Sequence, residues 1–125
     1  MRSCTWVLIG DGSLLAACGD VLLELGHRLA AVVSREPVIE RWASEKRVRL
    51  ESSDTDLASL LGGLDFDHLA SIAYGSIVPA EALRAVPGIA INFHDGPLPR
   101  YAGLNTPADR KGLLAVFGRS RPATA

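Results

Sequence analysis

The chain has 125 residues, of which 48% are hydrophobic and 22% are charged, and its formal net charge is −1. This length suits one domain with a sizeable core, and the composition excludes an intrinsically disordered chain. A charge near zero argues against nucleic-acid binding through bulk electrostatics, and no apolar run is long enough to span a bilayer. We therefore expect a cytoplasmic domain without a membrane partner or bulk nucleic-acid binding.

The two cysteines, Cys4 and Cys18, have neither metal-ligand nor redox spacing. We expect two buried thiols in a reducing cytosol and no metal site. Residues 15–18 resemble a lipoprotein cleavage box preceded by the basic Arg2, but Asp11 interrupts what would be the apolar core of a signal peptide. A buried strand followed by a helix with an apolar face explains this region better.

Apolar runs alternate with helical spacings along the chain. Strands are predicted at 4–9, 29–34, 48–50, 68–74 and 88–93, and helices at 13–25, 37–47, from 54 or 55 to 62, and at 79–86. Strands that alternate with helices at this spacing form right-handed βαβ units on a parallel sheet. The predicted fold class is therefore α/β, a Rossmann-like open parallel sheet.

Local signals indicate how the first two helices begin and end. Asp11 or Ser13 is the expected N-cap of the first helix, and Gly26 stands where a C-terminal glycine belongs. Pro37 suits the first turn of the second helix. His27 is expected on the surface, or near the negative end of the first helix dipole, and His68 in a turn contact. Neither histidine is assigned to catalysis.

Gly10 and Gly12 follow the first strand, where a dinucleotide-binding fingerprint would begin. That fingerprint needs a third glycine at the position of Leu15. A tight strand-to-helix turn explains both glycines without a ligand. A dinucleotide-binding module therefore stays as the less favoured alternative.

The last predicted strand runs into a loop rich in glycine and proline, at 91–107. Asn92 and His94 are two residues apart, so both side chains should project to one side of the strand and Phe93 to the other. Ligands of open α/β sheets collect beyond the carboxyl ends of the strands. An amide donor and a titratable imidazole are thus expected together at such an end, although an isolated pair of this kind could simply cap the turn.

The sequence at 92–103 reads Asn-Phe-His-Asp-Gly-Pro-Leu-Pro-Arg-Tyr-Ala-Gly and resembles the signature of folate-dependent formyltransferases. The shared pattern is Asn-x-His, a small residue, and then Leu-Pro-x-Tyr-x-Gly. It is most similar to the peptide-synthetase and siderophore-type members. The resemblance covers 1–107, which looks like a methionyl-tRNA formyltransferase-like N-terminal, folate-binding domain, and 67–79 resembles the strand and loop that line the folate pocket.

This resemblance implies transfer of a formyl group from 10-formyltetrahydrofolate to an amine acceptor, which is a small molecule or is held on a carrier. It implies that Asn92 and His94 donate hydrogen bonds to the oxyanion and that His94 also moves a proton. The residues that the resemblance places against the folate are Tyr74, Gly75, Ile77, Pro79, Gly96, Leu98 and Pro99.

The sequence departs from the family pattern after residue 107. The third catalytic residue of the family is an aspartate well beyond the histidine, whereas the only later acid here, Asp109, is too close to it. We expect an incomplete domain at 1–107 and a divergent, disordered tail at 108–125, as a frameshift or premature stop would produce. Such a chain should have weak or no transferase activity and should self-associate through an exposed sheet edge. The alternative is a non-catalytic fragment that binds folate or docks on a partner.

Overall fold

A five-stranded parallel sheet forms the centre of the structure, a computed structural model that describes residues 3–72, 74 and 78–93. The strands are β1 (Thr5–Gly10), β2 (Arg28–Val33), β3 (Leu50–Glu51), β4 (His68–Ile72) and β5 (Ala90–Phe93), and the helices are α1 (Ser13–Glu24), α2 (Pro37–Lys46), α3 (Leu57–Gly62) and α4 (Ala80–Arg84). The spatial order is β3-β2-β1-β4-β5, with all neighbours parallel. The predicted α/β class is confirmed, and element ends differ from the predicted ones by three residues at most.

Two apolar layers cover the two faces of the sheet. Trp6 and Leu8 of β1 belong to the layer that includes α1 and α2, whereas Val7 and Ile9 belong to the layer that includes α3 and α4. Successive strand side chains point to opposite faces, so a strand covered on both sides is mostly apolar. This explains why β1 is apolar from Trp6 to Ile9.

The start of α1 differs from the prediction. The N-cap position is Gly12, with a φ of 84°, and no side chain caps the helix. The predicted caps Asp11 and Ser13 are therefore wrong, because the position that could accept a hydrogen bond falls on a residue without a side chain. A positive φ favours glycine there.

The end of α1 agrees with the prediction. Gly26 has a φ of 87° and follows the C-cap Leu25. The backbone N–H of Gly26 donates to the carbonyl oxygen of Leu23 (3.0 Å), and that of His27 donates to Leu22 (2.9 Å). This is the hydrogen-bond pattern of a Schellman motif, in which a left-handed glycine ends the helix.

The next two helices begin at polar or proline signals. Pro37 occupies the first turn of α2, as predicted. α3 begins later than expected, because Asp56 and not Asp54 or Thr55 is its N-cap. The Asp56 carboxylate accepts from the backbone N–H groups of residues 58 and 59, at 3.1 and 3.4 Å. Several polar residues stand side by side at 52–56, and sequence alone does not rank them.

Both cysteines are buried and neither forms a disulfide, as the sequence predicted. Cys18 lies in the layer between the sheet and α1, and burial raises the pKa of its thiol to about 12. A buried apolar setting disfavours the thiolate, which is the reactive form. These thiols therefore behave as small core side chains.

The surface prediction for His27 is wrong. The turn after α1 places this side chain next to Cys4, the residue before β1, and it is 3% exposed. Its Nδ1 accepts a hydrogen bond from the backbone N–H of Cys4 (3.0 Å).

The turn contact expected of His68 is confirmed: its Nδ1 accepts from the backbone N–H of Ile89 (3.0 Å), just before β5. Among the described residues β3 and β5 are the two edge strands of the sheet, and self-association through an edge stays a prediction.

Candidate functional site

The order in which successive strands join the sheet reverses between β1 and β4. The strands β2 and β3 lie on one side of β1, and β4 and β5 lie on the other. In an open parallel sheet, a ligand crevice forms beyond the carboxyl ends of the strands at such a switch. Gly10 and Ile72 are partners in register at that end of β1 and β4. The fold therefore points to the region beyond these two residues.

Backbone atoms approach closely at this switch. A Cβ on Gly10 would overlap the carbonyl oxygen of Ile72 and lie 2.8 Å from its carbonyl carbon. The backbone N–H of Asp11 donates to the same oxygen at 3.3 Å. The turn thus needs glycine for its own geometry, which supports the tight-turn interpretation of Gly10 and Gly12.

Asp11 is a polar residue at the switch that was not among the predicted site residues. The residue is half-buried, and its Oδ1 is buried without a hydrogen-bond partner in the part of the chain that the structure describes. A carboxylate oxygen accepts hydrogen bonds from N–H and O–H groups. An acidic residue between two glycines at the end of the first strand was the available signal.

At the carboxyl end of β5, neighbouring side chains face opposite ways. Asn92 is exposed, whereas Phe93 is half-buried and packs against the apolar layer that contains α1 and α2. The predicted alternation of these two side chains is confirmed. The prediction that His94 shares the side of Asn92 lies outside the described residues.

A hydroxyl group lies next to Asn92 across the sheet. Ser71 of β4 is in register with Asn92 on one side and with Ile9 on the other. Partners in register on neighbouring strands share a face, so the Ser71 and Asn92 side chains are neighbours on the face covered by α3 and α4. Ser71 is 7% exposed. Ser71 was not among the predicted site residues, although a serine within an apolar strand was a signal.

Of the residues expected to contact folate, the structure describes two. Tyr74, two residues after β4, is half-buried and packs against the apolar layer that contains α3 and α4. Pro79 is exposed and precedes α4, where its carbonyl oxygen accepts from Ala82 (3.0 Å). Tyr74 follows the carboxyl end of β4 and Asn92 lies near the carboxyl end of β5, so both belong to the same end of the sheet. The other predicted site residues lie outside the described ones: Gly75, Ile77, His94, Gly96, Leu98 and Pro99.

A separate surface groove lies on α1 and α2 and is lined by Asp20, Leu23, Glu24 and Lys46. Asp20 accepts from Trp42 Nε1 (2.9 Å) and pairs with Lys46 (3.6 Å). These contacts join the two helices, so the groove is explained by helix packing. No cluster of histidine, cysteine and acidic side chains among the described residues could hold a metal ion, and none of the described helices is long and apolar enough to cross a membrane.

Comparison with curated proteins finds relatives over part of the chain. It is 33% identical to the methionyl-tRNA formyltransferase of Anaeromyxobacter dehalogenans (strain 2CP-C), and 32% identical to that of Anaeromyxobacter sp. (strain K). Each match covers 76% of this chain and 36% of the relative. The chain therefore spans about a third of the length of these relatives. No family model matches the sequence.

Comparison with solved structures finds the same sheet in two kinds of enzyme. Phosphoribosylglycinamide formyltransferase from Anaplasma phagocytophilum matches with a TM-score of 0.61 at 20% identity, over 94% of this chain and 60% of that one. Homoserine dehydrogenase from S. aureus matches with a TM-score of 0.54 at 16% identity, over 94% and 31%. At these identities the likeness shows the fold alone. The sequence relatives named above are formyltransferases.

Proposed function

We propose that this chain, which carries a formyltransferase-like domain, supplies the formyl-donor side of an N-formyl transfer reaction. The formyl group passes from 10-formyltetrahydrofolate to an amine, and the products are tetrahydrofolate and an N-formyl compound. The domain is assigned to 1–107. The match covers 36% of the length of the relative from Anaeromyxobacter dehalogenans (strain 2CP-C), so the complete reaction is proposed for this chain and is not taken from that relative.

In this reaction the amine nitrogen attacks the formyl carbon, and the carbonyl π electrons move to oxygen. The tetrahedral intermediate collapses when the carbonyl reforms and the bond from carbon to N10 of the folate breaks. N10 gains a proton and the amine loses one. A hydrogen-bond donor at the developing oxyanion lowers the barrier, and loss of one such donor typically costs about a hundredfold or more in rate.

The observation that carries the proposal is the placement of Asn92. Its side chain is exposed at the carboxyl end of β5, next to Ser71 and two residues before His94. A primary amide supplies two N–H donors without carrying charge. In the proposal Asn92 donates to the oxyanion. His94 donates to the same oxygen and relays the proton, which suits an imidazole that titrates near neutrality.

The proposed folate site lies beyond the carboxyl ends of β4 and β5. Tyr74 supports this, because its ring lies just past the end of β4, against an apolar layer. Apolar and backbone contacts to the pterin are assigned to the set taken from the family resemblance, namely Tyr74, Gly75, Ile77, Pro79, Gly96, Leu98 and Pro99.

The acceptor is proposed to be an amine on a small molecule or a carrier. The names of the sequence relatives make an aminoacyl-tRNA one candidate carrier. The net charge of −1 argues against a domain that grips nucleic acid through bulk electrostatics. The proposed setting is the cytoplasm.

The test begins with ligand binding to the purified chain. We expect 5-formyltetrahydrofolate, a stable analogue of the donor, to raise the melting temperature, and NAD to leave it unchanged. Stabilisation by NAD alone would overturn the proposal in favour of a dinucleotide-binding module. Stabilisation by neither ligand would also overturn it.

The second test is turnover of 10-formyltetrahydrofolate with a panel of amines, followed through release of tetrahydrofolate. Turnover that falls about a hundredfold or more in Asn92→Ala and in the nearly isosteric Asn92→Asp supports the assigned chemistry. Equal turnover in the variants contradicts the role of Asn92. Folate binding without turnover by any form favours the alternative, a non-catalytic folate-binding fragment.

A further inference from the structure

Two buried histidines lie on either side of β1 at the amino-terminal edge of the sheet, opposite the candidate site. His27 immediately precedes β2 and His68 begins β4, and each is 3% exposed. The ring of Trp6, on β1, contacts both imidazoles, with centroid distances of 6.5 Å to His27 and 4.8 Å to His68. We call His27 and His68 the histidine pair.

Each histidine ties together two segments that are distant in sequence. His27 Nδ1 accepts from the backbone N–H of Cys4 at 3.0 Å, which joins the turn after α1 to the residue before β1. His68 Nδ1 accepts from the backbone N–H of Ile89 at 3.0 Å, which joins β4 to the residue before β5. The pair therefore holds the amino-terminal ends of four adjacent strands.

These hydrogen bonds require neutral imidazoles. A nitrogen that accepts from an N–H group uses its lone pair, so the single ring proton of each histidine is on Nε2. Both Nε2 atoms are buried and have no hydrogen-bond partner within the described part of the chain. A second proton on Nδ1 would place two N–H groups face to face and remove the bond.

The surroundings oppose protonation, with one exception. Burial lowers the pKa of both histidines, and the neighbouring His68 lowers that of His27 further. Asp67 acts in the other direction on His68, although its carboxylate already accepts from the backbone N–H of Thr5 (2.8 Å). The buried Cys4 also lies next to His27, since its backbone N–H donates to the imidazole.

The segment between α4 and β5, at 85–89, reads Ala-Val-Pro-Gly-Ile and contains no charged residue. A Cβ on Gly88 would overlap the imidazole and lie 2.6 Å from the carbonyl oxygen of Asp67. The ring is therefore closely packed, and it has little room to turn away from Ile89 once it gains a proton.

We propose that the histidine pair is an acid-sensitive device that holds the amino-terminal edge of the sheet at neutral pH and releases it in mild acid. Protonation of His27 frees the start of β1. Protonation of His68 removes its bond to Ile89 and loosens the segment that leads into β5, the strand that carries Asn92. Two backbone hydrogen bonds then hold that segment, from Gly88 to Asp67 and from Leu69 to Ile89. Mild acid thus loosens the sheet at the end opposite the candidate site, independently of any formyl transfer.

The direction of the pH effect follows from the two states. In the unfolded chain each histidine binds a proton near pH 6.5, whereas in the folded chain it remains neutral to lower pH. The stabilisation is therefore complete above about pH 6.5 and is lost as the pH falls below it. The unfolding equilibrium constant should rise by up to about tenfold per pH unit for each histidine, or about a hundredfold for the pair.

The experiment measures denaturant unfolding of the full chain between pH 7 and 5. The wild-type chain should show the steep acid dependence. The double variant His27→Asn/His68→Asn, whose amide oxygens can accept the same backbone hydrogen bonds but do not titrate there, should lose most of it. His94→Asn is the matched control, since it removes the third histidine, and it should keep the wild-type slope. A double variant as steep as wild type overturns the proposal.

A second measurement needs no variant and so does not depend on the double variant folding. Amide hydrogen exchange, corrected for its intrinsic pH dependence, should show Cys4 and Ile89 losing protection in mild acid before the centre of β1. NMR titration of the imidazoles should give pKa values below 6.5 for both members of the pair. Imidazoles that titrate at 6.5 while these two amides stay protected would overturn the proposal.

Discussion

Gly10 and the carbonyl group of Ile72 lie so close together that a side chain at position 10 has no room. A Cβ there would lie 2.8 Å from the carbonyl carbon and closer still to its oxygen. The two residues are partners in register on β1 and β4, where the order of successive strands in the sheet reverses. Because the obstacle is backbone within the central pair of strands, neither side can move away cheaply.

Gly10→Ala should therefore destabilise the protein by about 2–3 kcal/mol or more, the upper range for overpacking a core. Urea denaturation of the full chain measures this change. Gly62→Ala is the matched control, since a Cβ at that position in α3 meets nothing within 4 Å. It should be neutral or stabilise by up to about 1 kcal/mol. Equal effects of the two substitutions would contradict the close contact.

Gly19 of α1 lies against the indole ring of Trp42 on α2. A Cβ there would overlap the indole ring of Trp42, whose Nε1 is held by Asp20 at 2.9 Å. Gly19→Ala should cost about 1–3 kcal/mol in the wild-type chain. It should cost less in a Trp42→Leu background, where the overlapping ring is gone. A double-mutant cycle in urea measures this coupling, and additive effects would rule the contact out.

Asp56 caps α3 through hydrogen bonds to two backbone N–H groups. Asp56→Ala should lower the free energy of unfolding by about 1 kcal/mol, the usual cost of losing an N-cap. Asp54→Ala is the control: its carboxylate is 88% exposed and pairs with Arg35 at 4.0 Å. An exposed ion pair of this kind contributes little. A larger loss for Asp54→Ala than for Asp56→Ala would reverse the assignment of the cap.

Truncation of Asn92 and of Phe93 to alanine should differ in its effect on stability. Asn92→Ala should change stability by no more than about 0.5 kcal/mol, because the side chain is exposed. Phe93→Ala should cost about 2 kcal/mol or more, since its ring packs on the core layer. Thermal unfolding of both variants tests this. A neutral Asn92→Ala variant also allows its loss of turnover to be attributed to the chemistry.

The thiols should be unreactive in the folded chain. With a pKa of about 12, about one molecule in ten thousand carries a Cys18 thiolate at pH 8. Cys4 is 1% exposed and equally shielded from reagents. A thiol reagent at pH 8 should therefore label both cysteines slowly in buffer and rapidly in guanidinium. Rapid labelling of Cys18 in buffer, measured by peptide mass spectrometry, would contradict this.

Much of the fold was predictable because its signals are local. The apolar run at β1, the glycine after α1 and the proline at the start of α2 each act within a few residues, and the structure confirms all three. The helix caps were predicted less well. At the start of α1 the cap is a glycine, and at α3 several polar residues compete for one position. Small differences in backbone geometry settle both cases.

The candidate site was predictable only in part. Strand alternation was sufficient to separate Asn92 from Phe93, and the sequence relatives support the resemblance to formyltransferases. Neither signal revealed that Ser71 lies beside Asn92, because that depends on which strands pair and in what register. The same holds for Asp11 at the switch between β1 and β4.

By itself the sequence determined the alternation of strands and helices, the burial of the two thiols and the opposite orientation of Asn92 and Phe93 on β5. These follow from periodicity and hydrophobicity, which are properties of short segments. Only the tertiary structure decided the order of the strands, the contact of Gly10 with Ile72 and the burial of His27 beside Trp6. Those contacts join residues 20 or more positions apart. Their geometry comes from sheet pairing, which no local pattern specifies.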